Sequence, residues 1–225
     1  MATELASEVK EHIRALAMYE MYWSRRAPTI VPRQMDLYKF AAEIIGSSAP
    51  VLYLEFGVAD GHSMGRIVEL FTNPTARFVG FDSFEGLPED WLMHKKGAFG
   101  RKGQPPDIND GRLTFVKGWF QNSVPDFFRQ YSVPIGSTVL VHFDADLYSS
   151  TLFLLATLWA QINKYYYLMD EFIYDEVVAL HDFSSAFPVR NEFLAQTTGG
   201  GNPPNPDQVL GFMERVAFKL ESSAK

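Results

Sequence analysis

Residues Val51–Leu70, VLYLEFGVADGHSMGRIVEL, run from an apolar stretch through a turn of small residues straight into an amphipathic segment. Val51, Leu52, Tyr53 and Leu54 form a short, continuously apolar run, the pattern of a strand buried on both faces of a parallel sheet. Met64, Ile67, Val68 and Phe71 recur at three- and four-residue spacing, so a helix that opens after Gly61 and Ser63 has one face to lay on that sheet. Between them, Gly57 and Gly61 permit close backbone approach, and the helix start presents unpaired N–H groups. A strand, turn and helix joined in this way make a ligand cradle in a Rossmann-like α/β fold.

The spacing of the glycines narrows the ligand. Dinucleotide loops read G-x-G-x-x-G, whereas Gly57 is followed by Val58, Ala59 and Asp60 before Gly61. No Gly-Lys-Ser/Thr triplet follows, so a nucleoside triphosphate is disfavoured as well. Glu55 ends the strand two residues before Gly57 and suits a ligand bearing an ammonium or sulfonium charge. S-adenosylmethionine has both. The competing reading is an ordinary strand, turn and helix with a solvated Glu55.

Later segments bear on that choice. Arg77–Phe81 reads as a second strand that delivers Asp82, with Ser83 beside it, about 20 residues after the glycine turn, where an acid reaches two ribose hydroxyls in doubly wound folds. Leu113–Lys117 reads as a third strand, followed by Gly118, Trp119, Phe120 and Gln121. The aromatic pair is placed to sandwich adenine, with Gln121 at its polar edge; packing of Trp119 in the core is the alternative. The long Gly-, Pro- and charge-rich segment from Ser83 to Gly111 is expected to be a lid.

Two further strands end in acids. VLVHFDADLYSST, residues 139–151, carries Asp144 and Asp146, and the strand Tyr165–Met169 runs into Asp170 and Glu171. Neighbouring parallel strands bring Asp144, Asp170 and Glu171 together, and three carboxylates at one point repel unless a cation or protons intervene. All-oxygen donors favour a hard ion, with Mg²⁺ the expected metal; capping of helix N-termini is the alternative use of these acids. His142 lies two residues before Asp144 on the same strand face and is a candidate base together with Asp144. A histidine merely packed against a neighbour is the competing reading. Asp144-Ala145-Asp146 also matches the D-x-D site of nucleotide-sugar glycosyltransferases.

Composition bounds the rest. The chain has 225 residues, 47% of them hydrophobic, no cysteine and a net charge of −7. One α/β domain of this size buries a sizeable core. Without cysteine there are no disulfides, thiolate metal sites or thiol nucleophiles, which is compatible with the cytoplasm. The longest apolar stretch, Leu152–Ala160, is too short to cross a bilayer, no signal peptide is visible, and singly scattered Lys and Arg leave no footprint for nucleic acid. Residues 3–24 and Asp36–Ile45 read as N-terminal helices, so residues 1–47 form a helical segment for lid or homodimer contacts ahead of a catalytic domain at 48–225.

The ordered set LEFGVADGHS, GFDSFEGLPEDW, VKGWFQNSVP, HFDADLYSST and MDE resembles the macrocin O-methyltransferase (TylF-like) family, class I S-adenosylmethionine-dependent enzymes that methylate hydroxyls of natural-product sugars. The likeness spans Pro32 to Phe183. It implies a seven-stranded, mostly parallel sheet whose last strand is antiparallel, with Asn191–Thr198 and Arg215–Leu220 as the final hairpin. It also implies that Glu55, Gly57, Ser63, Asp82 and Ser83 hold the methyl donor, and that Asp144, Asp170 and Glu171 match the family's metal ligands. Val58, Gly61, Gly118, Trp119, Phe120, Gln121 and Asp144 complete the expected cofactor contacts. The chain departs from the family in Lys164-Tyr165 where Gly-Gly is usual, and in Asp170-Glu171 where Asp-Asp is usual. The expected reaction is transfer of a methyl group to a hydroxyl of a small sugar-like or natural-product acceptor. A protein that binds S-adenosylmethionine without turnover is the third reading, after the glycosyltransferase.

Overall fold

The computed structural model describes residues 13, 14, 17, 28–172, 175–197 and 215–223. Eight strands form one sheet: β1 (Thr29–Val31), β2 (Val51–Phe56), β3 (Arg77–Asp82), β4 (Leu113–Lys117), β5 (Thr138–Phe143), β6 (Lys164–Met169), β7 (Val189–Thr197) and β8 (Val216–Ser222). Their spatial order is β1-β7-β8-β6-β5-β2-β3-β4. Among the described strands only β8 runs antiparallel to its neighbours, inserted between β6 and β7. The seven strands expected from the sequence are present. The eighth, β1, is a three-residue edge strand parallel to β7, too short to leave a periodic signal before Pro32.

Among the described residues, helices α1 (Gln34–Ile45), α2 (His62–Leu70), α3 (Phe120–Gln130), α4 (Tyr148–Gln161) and α5 (Asp175–Ala186) cover the faces. Strand alternation divides the core in two. Leu52, Leu54 and Phe56 of β2, with Val141 and Phe143 of β5, pack with Leu154, Leu158 and Phe183 of α4 and α5. Val51 and Tyr53 of β2, with Leu140 of β5, pack instead with Leu37 and Ala41 of α1 and with Met64 and Ile67 of α2. Because α1 contributes Leu37, Tyr38, Ala41 and Ala42 to the same cluster as β2, it is part of this core. Most of the N-terminal helix expected over residues 3–24 lies outside the described residues. Of it, Ile13, Arg14 and Ala17 are helical, and Arg14 Nη2 donates to both carboxylate oxygens of Asp182 at 2.9 Å. The Gly/Pro-rich stretch at 199–207 also lies outside them.

Arg112, just before β4, fastens the end of α2. Its guanidinium donates to the carbonyls of Phe71 at 2.5 Å, Val68 at 3.1 Å and Asn73 at 3.3 Å, and to Asp110 Oδ2 at 2.7 Å, while lying 4.9 Å from the centre of the Phe78 ring. Carbonyls at a helix end lack partners within the helix, and one planar fork supplies several. Arg112→Ala is expected to cost about 2–3 kcal/mol in urea unfolding, and Arg112→Lys to recover less than half of that, since an ammonium lacks the fork.

Candidate active site

Strand register sets the site. Phe81, Phe56, Phe143 and Met169 stand side by side across β3, β2, β5 and β6. The residues that follow them, Asp82, Gly57, Asp144 and Asp170, therefore form a row along the carboxyl edge of the sheet. Sequence order reverses between β2 and β5, the switch point at which open α/β sheets bind ligands. A cavity of about 480 Å³ opens there, and all four residues of the row line it.

On the donor side, Gly57 has φ +93°, and a Cβ at this position would lie 1.7 Å from the carbonyl oxygen of Asp144. The Asp82 carboxylate ties the turn down: Oδ2 accepts the backbone N–H groups of Val58 at 2.9 Å and Ala59 at 2.8 Å, and Oδ1 accepts that of Phe84 at 2.6 Å. Ser83, Gly118, Trp119, Phe120 and Gln121 line the same cavity. Gly61 starts α2 at φ +80° but packs under Pro106 and Ile108, away from the cavity wall.

Glu55 takes a different place from the one expected. Period-two alternation sends it to the α2 face with Tyr53, where it is wholly buried. Ser63 Oγ donates to Glu55 Oε1 at 2.7 Å, and Tyr53 Oη donates to Oε2 at 2.5 Å. Neither Glu55 nor Ser63 lines the cavity. His142, opposite Glu55 in register, is buried beside them, with Nδ1 3.1 Å from Tyr53 Oη and Nε2 3.7 Å from Asp170 Oδ1. Burial favours its neutral ring, but contact with Asp170 and Glu55 outweighs that and raises the pKa to about 10. The two carboxylates therefore favour the protonated ring of His142.

The acids separate into two groups. Burial favours protonation of Asp170, yet His142 and Arg215 hold it below the ordinary carboxylate range. Arg215 Nε donates to Asp170 Oδ1 at 2.6 Å, Nη2 to Oδ2 at 2.9 Å, and Gln34 Nε2 to Oδ1 at 3.0 Å. Asp144, next to it, is pushed well above the usual range by burial and by the charge of Asp170. The second group is Asp146, Glu171 and Glu176. Burial raises them to about 7, 9 and 8, with mutual repulsion adding to it, and the Glu171 N–H donates to Glu176 Oε2 at 3.2 Å. The two acids of the D-x-D tripeptide are therefore divided between the groups, and Asp146 sits at φ +59°.

The magnesium expected from the sequence meets a different donor set. Among the described residues, the side chains whose donor atoms gather within 4.8 Å of one another are His142, Asp144 and Asp170; Glu171 is with Asp146 instead. Both oxygens of Asp170 already accept hydrogen bonds from Arg215, and the third donor is a histidine nitrogen, which a hard ion such as Mg²⁺ takes less readily than oxygen. The residues present fit such an ion poorly.

Several residues of the site have no sequence signal. Gly86, Leu87, Pro88 and Phe99 of the expected lid form one wall, pinned where Trp91 Nε1 donates to Asp175 Oδ2 at 3.1 Å. His94 stacks on Trp91 within that segment, and His62 pairs with Asp60 in solvent. Ala59 and Ser150 join the lining, and Arg215, far along the chain, reaches Asp170 only through the β6–β8 pairing.

No protein-family model matches this chain. It is 21% identical over 198 residues to demethyldecarbamoylnovobiocin O-methyltransferase of Streptomyces niveus, covering 76% of this chain and 73% of that protein. The structure of the O-methyltransferase NovP superposes with a TM-score of 0.56 at 19% identity, covering 83% of this chain and 78% of that one. TomG of Streptomyces achromogenes, an O-methyltransferase of tomaymycin synthesis solved with S-adenosylmethionine, gives 0.51 at 13% identity, covering 95% and 90%. The fold is the Rossmann-like methyltransferase fold. Among the described residues no helix is long and apolar enough to cross a membrane.

Two outcomes test this geometry. Gly57→Ala is expected to lower the thermal midpoint and to abolish stabilisation by S-adenosylmethionine, whereas Gly111→Ala, with open space around its Cβ, leaves both unchanged in thermal-shift measurements. A buried carboxyl whose pKa is raised on folding contributes stability that is complete below its unfolded pKa and is lost as pH rises through its folded one. Glu176 rises to about 8, so urea unfolding should show the protein weakening from about pH 5 to pH 9, and Glu176→Gln should flatten that slope.

Proposed function

We propose that this protein is an S-adenosylmethionine-dependent O-methyltransferase of the macrocin type, acting on a hydroxyl of a small sugar-like or natural-product acceptor. One observation carries the reading: the glycine turn, the Asp82 carboxylate and the acid pair Asp144/Asp170 converge on one cavity at the switch point of the sheet. The names of the relatives, O-methyltransferases of demethyldecarbamoylnovobiocin and of tomaymycin synthesis, support it.

A sulfonium donor is already activated, so the protein's task is to align an acceptor oxygen and take up its proton. Gly57, Val58 and Ala59 with Asp82 and Ser83 hold the donor's amino-acid and ribose parts, and Trp119, Phe120 and Gln121 hold the adenine. Asp144 stands between that side and the acid floor and lines the cavity, the carboxyl group placed to take a hydroxyl proton. Glu55 and Ser63 act behind the turn, holding β2 to α2. His142 holds Asp170 ionised from beneath. The lid wall of Leu87, Pro88 and Phe99 shields the reaction from water. Cytoplasmic location and dimer contacts through the N-terminal helices belong to the same reading.

Calorimetry is expected to show binding of S-adenosylmethionine and S-adenosylhomocysteine and none of UDP-sugars; the reverse result removes this function in favour of glycosyl transfer. A panel of polyhydroxylated metabolites should then yield an acceptor that releases S-adenosylhomocysteine. With that acceptor, Asp144→Asn should lower kcat by about 10²-fold or more. Donor binding without release for any acceptor indicates a binding protein.

A further inference from the structure

Arg215 opens β8 and crosses to the end of β6, a reach fixed at both ends. Its own backbone is locked, with its N–H donating to Thr197 Oγ1 at 3.1 Å and its carbonyl accepting the Thr197 N–H at 2.9 Å. Its fork meets Asp170 through two nitrogens on two oxygens, at 2.6 and 2.9 Å, the geometry that distinguishes arginine from a point charge. Gln34 of α1 adds a third donor. Asp170 is thus held from a helix and a strand that flank it on different sides, and its side chain is 9% exposed.

Asp144 and Asp170 are adjacent carboxyls at neighbouring strand ends, an arrangement that requires a positive charge or a proton. We propose that Arg215 is the resident cation of this acid floor, occupying the place a divalent metal would take, and that it leaves the cavity's chemistry independent of such a metal. Arg215 acts through Asp170 as a positioning residue: it fixes that carboxylate and offsets its charge, so that of the adjacent pair Asp144 is the one not tied to a guanidinium. The consequence for turnover rests on the methyltransferase reading, whereas the occupancy of the floor does not.

The test therefore uses metal binding, without acceptor. The full chain is titrated with Mn²⁺ by calorimetry and electron paramagnetic resonance as wild type, Arg215→Gln, Arg215→Lys and Asp144→Asn. Wild type and Arg215→Lys are expected to show no saturable site that depends on Asp144. Arg215→Gln should gain one Mn²⁺ per chain with an affinity at least about tenfold higher, lost again when Asp144→Asn is added. One Mn²⁺ bound per wild-type chain and abolished by Asp144→Asn overturns the proposal. So does a folded Arg215→Gln, verified by circular dichroism, that binds no more than wild type. Should Arg215→Gln fail to fold, comparison of wild type with Asp144→Asn decides the matter. Failure to bind S-adenosylmethionine removes the proposed function and leaves these titrations as they stand.

Discussion

A carboxylate removed from water must find positive charge or a proton, and this molecule buries several of them at one sheet edge. Glu55, His142, Asp170 and Arg215 answer that requirement in sequence: acid, imidazole, acid, guanidinium, running from behind the glycine turn to the end of β6. Tyr53 and Ser63 complete the partners of Glu55, and Gln34 those of Asp170. The chain joins β2, β5, β6 and β8 with α1 and α2. Through it, the residues behind the glycine turn and the acid pair at the ends of β5 and β6 belong to one connected network.

What is left over is chemically distinct. Asp144 is pushed toward protonation by burial and by the charge of Asp170 despite the nearby His142, whereas Asp170 beside it is held ionised by His142 and Arg215. Two carboxyls at equivalent strand ends thus acquire different protonation behaviour from their neighbours alone, the usual route by which a site divides positioning from proton transfer. Asp146, Glu171 and Glu176 form a further group whose burial holds protons. Asp146 and Glu171 add to the acidic end of the cavity.

Much of this was legible in the residues because it depends on short-range pattern. The apolar run ending at Phe56, the small-residue turn and the apolar spacing of α2 require only local periodicity, and the same holds for the strands delivering Asp82, Asp144 and Asp170. Trp119, Phe120 and Gln121 follow a strand end and line the cavity for that reason. Glu55 was less transparent. Its place at a strand end suggested the cleft, but alternation along β2 turns it to the covered face, where Tyr53 and Ser63 consume it. Glu171 next to Asp170 points to another group, since adjacent residues past a strand end need not share a direction. The edge strand β1 is too short for any periodic signal.

The sequence by itself determined the doubly wound sheet, the cradle after β2 and the row of residues at the carboxyl edge, because strand and helix periods and turn chemistry are properties of neighbours along the chain. The tertiary structure alone decided which charges meet. Arg215 reaches Asp170 from 45 residues away, and Gln34 from 136, only because β8 inserts antiparallel beside β6 and α1 packs over the same edge. Electrostatic partnership depends on distance in space, and for these residues the chain's own order carries none of it.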